Sequence, residues 1–406
     1  MKRIALSIAI IFIHLVSSGQ GFQNYGANIT IEQEAFIHTG DYMNDEGSSI
    51  DLDGELEISG NWTNHASGDV FINIEDTPDG WLNMRGNDSV FIGGSQACRF
   101  ENLHLNQAYQ TLTISDNKVE GKLKLGGVFV LQAHSIQLLN PLPEALLHES
   151  GYILSESLPV NGTGDIIWQI GENTGSYHIP FGDGTSNNPN IAINLNIIKS
   201  GISDIGQFEF TSYPSNADNQ PLPENVSVPE NPGPLACIDR YWKVKPLYTV
   251  NPDVSIEFSY STNDTNPTEN LNLNEDNLSV LQFHRGNMHW EQYNSYINTG
   301  GIVGMTELQG NQLFGWFTLG SVFQESITEL NIPNGITPNG DGYNDTWTVE
   351  GLNLPEVWIY NRWGNEVFYS KQYDNSFDGK NLPSGPYYYV INTNGDILKG
   401  DLNILH

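Results

Sequence analysis

The sequence predicts an all-β chain in three parts: an N-terminal region that is a β-solenoid or a sandwich, a central β-sandwich, and a small C-terminal sandwich. Three observations carry this. Among 406 residues there are 41 Gly and 20 Pro, a composition that suits short strands joined by many turns. No long stretch spaces its apolar residues at the helical period. Apolar pairs two residues apart recur along the chain, and that spacing puts both side chains on one face of a strand.

The length is enough for about two or three domains, each with its own core. Residues 1–19 are expected to be a secretory signal peptide. Lys2 and Arg3 make the positive start, an apolar run follows from Ile4 to Val16, and Ser17 and Gly19 are small residues suited to cleavage before Gln20. The run is short for a membrane span, and no second apolar run follows.

From 20 to 150 the pairs are closely set: Leu56/Ile58, Leu82/Met84, Leu103/Leu105, Leu112/Ile114, Leu123/Leu125 and Ile136/Leu138. Strands this short must stack on many neighbours. Parallel coils and an antiparallel sandwich both accommodate them, and the nearly loop-free alternation over 100–140 favours the solenoid. From 151 to 323 the strands lengthen and become more aromatic, with Pro- and Asn-rich loops between them, as expected of a sandwich. The Pro-rich stretch 219–234 is either a crossing loop or a break between small domains. Residues 324–331 read as a linker, and 332–406 form the last domain.

Acidic residues outnumber basic ones 48 to 16, for a formal net charge of −32. The few Lys and Arg are thinly spread, which argues against nucleic acid and against anionic membranes as partners. Cys98 and Cys237 fall in different predicted domains, so two separate buried thiols are expected ahead of a disulfide.

The last domain carries several motifs in order. Ile336-Thr337-Pro338-Asn339-Gly340-Asp341-Gly342-Tyr343-Asn344-Asp345 opens it, followed by Val357-Trp358-Ile359-Tyr360-Asn361-Arg362-Trp363-Gly364-Asn365-Glu366-Val367-Phe368. Then come Phe377-Asp378-Gly379, Leu382-Pro383-Ser384-Gly385-Pro386-Tyr387-Tyr388-Tyr389-Val390 and Lys399-Gly400. As plain chemistry these are a glycine-rich tight loop, a hairpin bending at Gly364, a second turn, and an aromatic strand with Pro386 at its start or on an edge. About seven strands of this kind make a small immunoglobulin-like sandwich.

The series resembles the gliding motility-associated C-terminal domain, the type B sorting domain of the type IX secretion system. That resemblance implies export to the periplasm by the signal peptide, then delivery of the folded C-terminal domain to the outer-membrane translocon. Implied partners are the translocon and its attachment machinery, with surface polysaccharide or other cell-surface proteins beside them. The implied location is extracellular or on the outer cell surface. In that family the domain is either removed or retained for anchoring, and both routes stay open. Two positions depart from the family pattern: Pro386 stands where Thr is usual, and His406 ends the chain where Arg or Lys is usual.

Candidate sites are few. Asn339, Asp341, Asp345 and Glu350 offer oxygens at spacings near those of a calcium loop, but Tyr343 and Asn344 break the pattern, and Asx turns explain the same residues. No other cofactor is suggested. Arg362 and Trp363 are either a recognition surface or a stacked pair that stabilises the turn. Asp88-Ser89-Val90 matches a short O-glycosylation acceptor, with Ser89 the acceptor. His284 and His289 lack further metal ligands at suitable spacing, and Trp242 is expected in the core.

For catalysis, Gly93-Gly94-Ser95-Gln96-Ala97 lacks the final Gly of a nucleophile elbow, and His148-Glu149 lacks the second His of a zinc helix. The expected function is therefore a non-enzymatic, exported surface protein with an adhesive or structural passenger. The alternatives are a solenoid polysaccharide lyase or hydrolase, disfavoured because Arg85, Arg99, Lys118, Lys122 and Lys124 form no evident cluster, and a carbohydrate-binding protein using Trp62, Trp81 or Trp168.

Overall fold

The computed structural model describes residues 21–72, 79–106, 110–156, 163–184, 191–199, 206–216, 218–229, 236–246, 253–265, 273, 275–284, 289–293, 295–298, 302–308, 315–321, 332–349, 356–393 and 396–406. The expected signal peptide (1–19) and linker (324–331) lie outside them. Two compact units divide the chain at 322/323.

The N-terminal part of the first unit is a solenoid of parallel strands. One face stacks Phe36–Thr39, Glu55–Ile58, Trp81–Met84, Asn102–Leu105, Leu123–Leu125 and Leu146–His148, in that spatial order. The register explains the apolar pairs. Leu56, Leu82, Leu103, Leu123 and Leu146 stand in one row, and Ile58, Met84, Leu105 and Leu125 in the next. All but Leu146 are fully or almost fully buried, and burying each stabilises the stack by roughly 1.5–3 kcal/mol. A second face stacks aromatic rings, with Tyr42 and Trp62 parallel at 5.0 Å and Trp62 on Phe71 at 5.7 Å. At the corner beyond it, Asn24, Asn44 and Asn64 form a buried column. Asn24 bonds the backbone of Ala27 in both directions and Asn64 donates to Ala97 O at 3.1 Å, whereas the buried Asn44 side-chain amide between them makes no hydrogen bond.

Past residue 150 the parallel stacking gives way to antiparallel pairing without a break in the sheets. Strand Gly175–Phe181 still pairs in parallel with Ile153–Leu154 at Phe181, then pairs antiparallel with Ile191–Lys199. On the other side, Asp165–Gln169 is parallel to Ser135–Leu138 and antiparallel to Gln207–Pro214. Two of the solenoid's sheets thus continue as the two sheets of the sandwich, and one core runs from Ile31 to Leu319. The stretch 219–234 is a crossing loop where it is described: Leu222 and Val226 pack on Tyr241, Trp290 and Trp316, and Trp290 donates its indole N–H to Ser227 O at 2.8 Å.

The second unit differs in detail from expectation. Its described residues hold five strands in one sheet, Gly335–Ile336, Asp396–Ile404, Gly385–Thr393, Glu356–Asn361 and Glu366–Ser370, where two sheets of about seven strands were expected. The segments 337–349 and 371–384 run as turns, and their Trp347, Tyr373 and Phe377 cover the sheet's inner face. Hydrogen bonds fix these aromatic anchors: Trp347 Nε1 to Pro333 O at 2.6 Å, Tyr373 Oη to Trp347 O at 2.5 Å and Trp347 N to Phe377 O at 2.8 Å. Cys98 and Cys237 are both free and buried in the first unit.

Candidate functional site

On the solenoid, the face that buries Leu56, Leu82, Leu103 and Leu123 inward points the intervening residues outward. Glu57, Asn83, His104 and Lys124 occupy one row on four successive coils, and Phe36, Glu55 and Trp81 occupy another. All of these but Phe36 line a groove of about 340 Å³, together with Arg85 and Asn106.

Polar contacts cross the coils in a chain. His38 Nδ1 and Glu57 Oε1 are 3.0 Å apart, and Arg85 Nη1 lies 3.7 Å from Glu57 Oε2. Asn83 donates to Glu55 Oε2 at 3.2 Å, and its Oδ1 lies 3.2 Å from His104 Nδ1. Lys124 Nζ and His104 Nε2 both approach Glu149, at 2.7 and 3.3 Å. The Lys124 bond holds the Glu149 carboxyl below the usual carboxylate range. Burial, aided by the Lys124 charge, lowers the His104 pKa, so its imidazole favours the neutral form.

The basic residues that look scattered in the sequence thus part company in space. Arg85 and Lys124 meet at this groove, whereas Arg99 pairs with Glu120 and Asp69 on another face. The missed signal is the coil offset: from Glu57 to Asn83, His104 and Lys124 the chain advances by 26, 21 and 20 residues, one turn each time.

Beside the groove, and sharing Glu55 and Trp81 with it, lies a hollow of about 490 Å³ lined by Gln33, Glu34, Ala35, Phe36, Asp53, Gly54, Glu55, Asp79 and Trp81. Glu101, only 3% exposed, sits at the same acidic corner with Oε1 unpartnered. Burial, reinforced by Asp53, Asp51 and Asp79, pushes its carboxyl up to about 7. Of the three tryptophans considered for sugar binding, Trp62 and Trp168 are buried in the core and only Trp81 reaches the groove.

In the second unit the glycine-rich loop folds on itself. Asp345 accepts the N–H groups of Gly340 (2.6 Å) and Gly342 (2.8 Å), one with each carboxylate oxygen. Asn339 Oδ1 accepts Asp341 N, while Asp341 accepts Tyr343 N and the Asn339 amide. Gly340, Gly342 and Asn344 take φ of 83°, 87° and 53°, a region that favours Gly and tolerates Asn. Asx turns thus engage the same side-chain oxygens that the calcium-loop spacing drew attention to, one N–H on each carboxylate oxygen, and Glu350 lies outside the described residues. Pro338 enters this loop, between Ile336 and Asn339.

Asn361 caps the hairpin bend, its Oδ1 accepting Trp363 N and Asn365 N, and Gly364 has φ of 80°. At the tip the Arg362 guanidinium lies 4.8 Å from the Trp363 ring centroid, with Trp363 73% exposed. Asp378 accepts Lys380 N, Gly379 abuts Ile336 and Ile404, and Gly385 starts the strand that pairs Val390 with Lys399 and Tyr389 with Gly400. Pro386 is the second residue of that strand, and His406 docks on Ser384 and Leu382.

The remaining candidates separate. Ser89 is exposed in the turn before Val90–Gly94. Gly93 and Gly94 end that solenoid strand, and Glu149 of the His148-Glu149 pair serves Lys124. Trp242 is buried against Phe258. His284 and His289 stack at 5.6 Å with His284 held by Glu291, and no cluster of three metal-ligating side chains occurs among the described residues. No described helix is long and apolar enough to cross a membrane.

Residues 330–401 match the family described as CHU_C type IX secretion signal domain. No curated protein and no solved structure matches the chain. The C-terminal unit carries a type IX secretion signal, which implies contact with the secretion machinery and export to the cell surface or the extracellular space.

Proposed function

We propose that the chain is a non-catalytic surface protein that reaches the outside through the periplasm and displays a solenoid–sandwich passenger for adhesion. The observation that carries this is the secretion signal over residues 330–401, in a chain whose other unit stacks its strands into continuous sheets around one core. On that stack the outward face offers a fixed array of paired polar groups. Glu57 lies between His38 and Arg85, and Glu149 beside Lys124. Carboxylates held by cations suit a preorganised binding surface better than proton transfer. The signal peptide supplies the first export step, and the translocon and attachment machinery act on the C-terminal unit.

Protease shaving of intact cells tests this. Full-length protein should be removed from the surface, and a chain lacking residues 332–406 should stay protected inside. Equal protection of both would overturn the assignment.

A further inference from the structure

We infer that the hollow between Phe36 and Trp81 binds an amino sugar, as one unit of a cationic polysaccharide lying along the solenoid face. The inference deepens the adhesive function proposed above and names its ligand class. Parallel register places Phe36, Glu55 and Trp81 side by side on three successive coils. Neighbouring strands lie about 4.7–4.9 Å apart, so the two rings flank a carboxylate across roughly 10 Å. Gly54 lines the hollow beside them, and Glu34, Asp53 and Asp79 close its corner. Aromatic rings accept the C–H face of a sugar, and rings with carboxylates attract an ammonium group.

Two residues along the same strands, the neighbouring row carries Asn83, His104 and Lys124 on three successive coils, each with a hydrogen-bonding group on the outward face. A linear polysaccharide running across the strands meets one such group about every 4.8 Å, close to the length of one sugar unit. Anionic polymers are disfavoured by the acidic corner and by a formal net charge of −32.

The test is calorimetric titration of the purified full-length chain at low salt with glucosamine hexamer, N-acetylglucosamine hexamer and hexalysine. The glucosamine hexamer should bind roughly tenfold more tightly than its acetylated form, because acetylation removes the charge. Glu55→Gln, at an exposed position, and Trp81→Ala should each weaken it by about tenfold. Three results would overturn the proposal: no binding of the glucosamine hexamer, binding that both variants leave intact, or hexalysine binding as tightly as the sugar. Purified protein separates this outcome from export, which cell fractionation reads independently.

Discussion

Arg240 donates from Nε to Oδ1 of Asp264 at 2.8 Å, with the two side chains 3% and 4% exposed. The same guanidinium bonds Glu156, where solenoid stacking gives way to the sandwich, and donates to Ser212 Oγ at 2.7 Å. Burial raises the Glu156 pKa, and the Arg240 charge opposes that effect. Removing the cation would leave two carboxylates in a low-dielectric interior.

Arg240→Met is therefore expected to destabilise the first unit by about 3–5 kcal/mol, the usual range for breaking a buried ion pair from one side. Urea unfolding of the full chain checks it. Replacing Arg240, Glu156 and Asp264 together with apolar residues should restore most of the loss.

Glu101 predicts a pH dependence. Its carboxyl is pushed up to about 7 in the folded chain, above its unfolded value. A group with a raised folded pKa favours the fold while protonated, so its contribution is full at acid pH and is lost as pH rises through about 7. Between pH 5 and roughly pH 8 the first unit should lose stability, and Glu101→Gln should flatten that slope. Thermal melts across the range, on both chains, decide it.

Gly400 faces Tyr389 across the sheet, and a Cβ at this position would run into the Tyr389 ring. Gly400→Ala should cost about 1–3 kcal/mol by overpacking. The expected sign is faster hydrogen exchange across Gly385–Thr393, with the first unit unchanged.

At the secretion-signal loop, calcium removal is expected to change little, because Asp345 and Asp341 already serve loop amides. Those amide bonds lower the Asp345 pKa, so its contribution is present above the unfolded Asp range and fades as pH falls through the lower folded value. Exchange protection at Gly340 and Gly342 should survive a chelator and weaken in acid or in Asp345→Asn. A chelator-induced loss at neutral pH would assign a cation to the loop.

The strand class was legible because each short strand writes its own pair: Leu56/Ile58 and Leu103/Leu105 declare which side faces in. The stacking was harder to see, because the coils differ in length. Leu112 lies opposite Val130, eighteen residues on, whereas Trp62 lies opposite Ile92, thirty on. The hidden period also concealed the groove, since Glu57, Asn83, His104 and Lys124 are neighbours only once the coils are aligned. The C-terminal loop was the most readable part, as each of its turns depends on residues adjacent in sequence. That the described residues of that unit form one sheet was not readable, because the aromatic character of Trp347, Tyr373 and Phe377 suits a strand as well as the turns they anchor.

Export is tested most directly by fusing a fluorescent reporter to a signal peptide and residues 324–406, expressed with and without a working type IX translocon. Reporter outside the cell only when the translocon is present is the predicted result. Reporter held in the periplasm of both strains would contradict the assignment of this unit as a sufficient export signal.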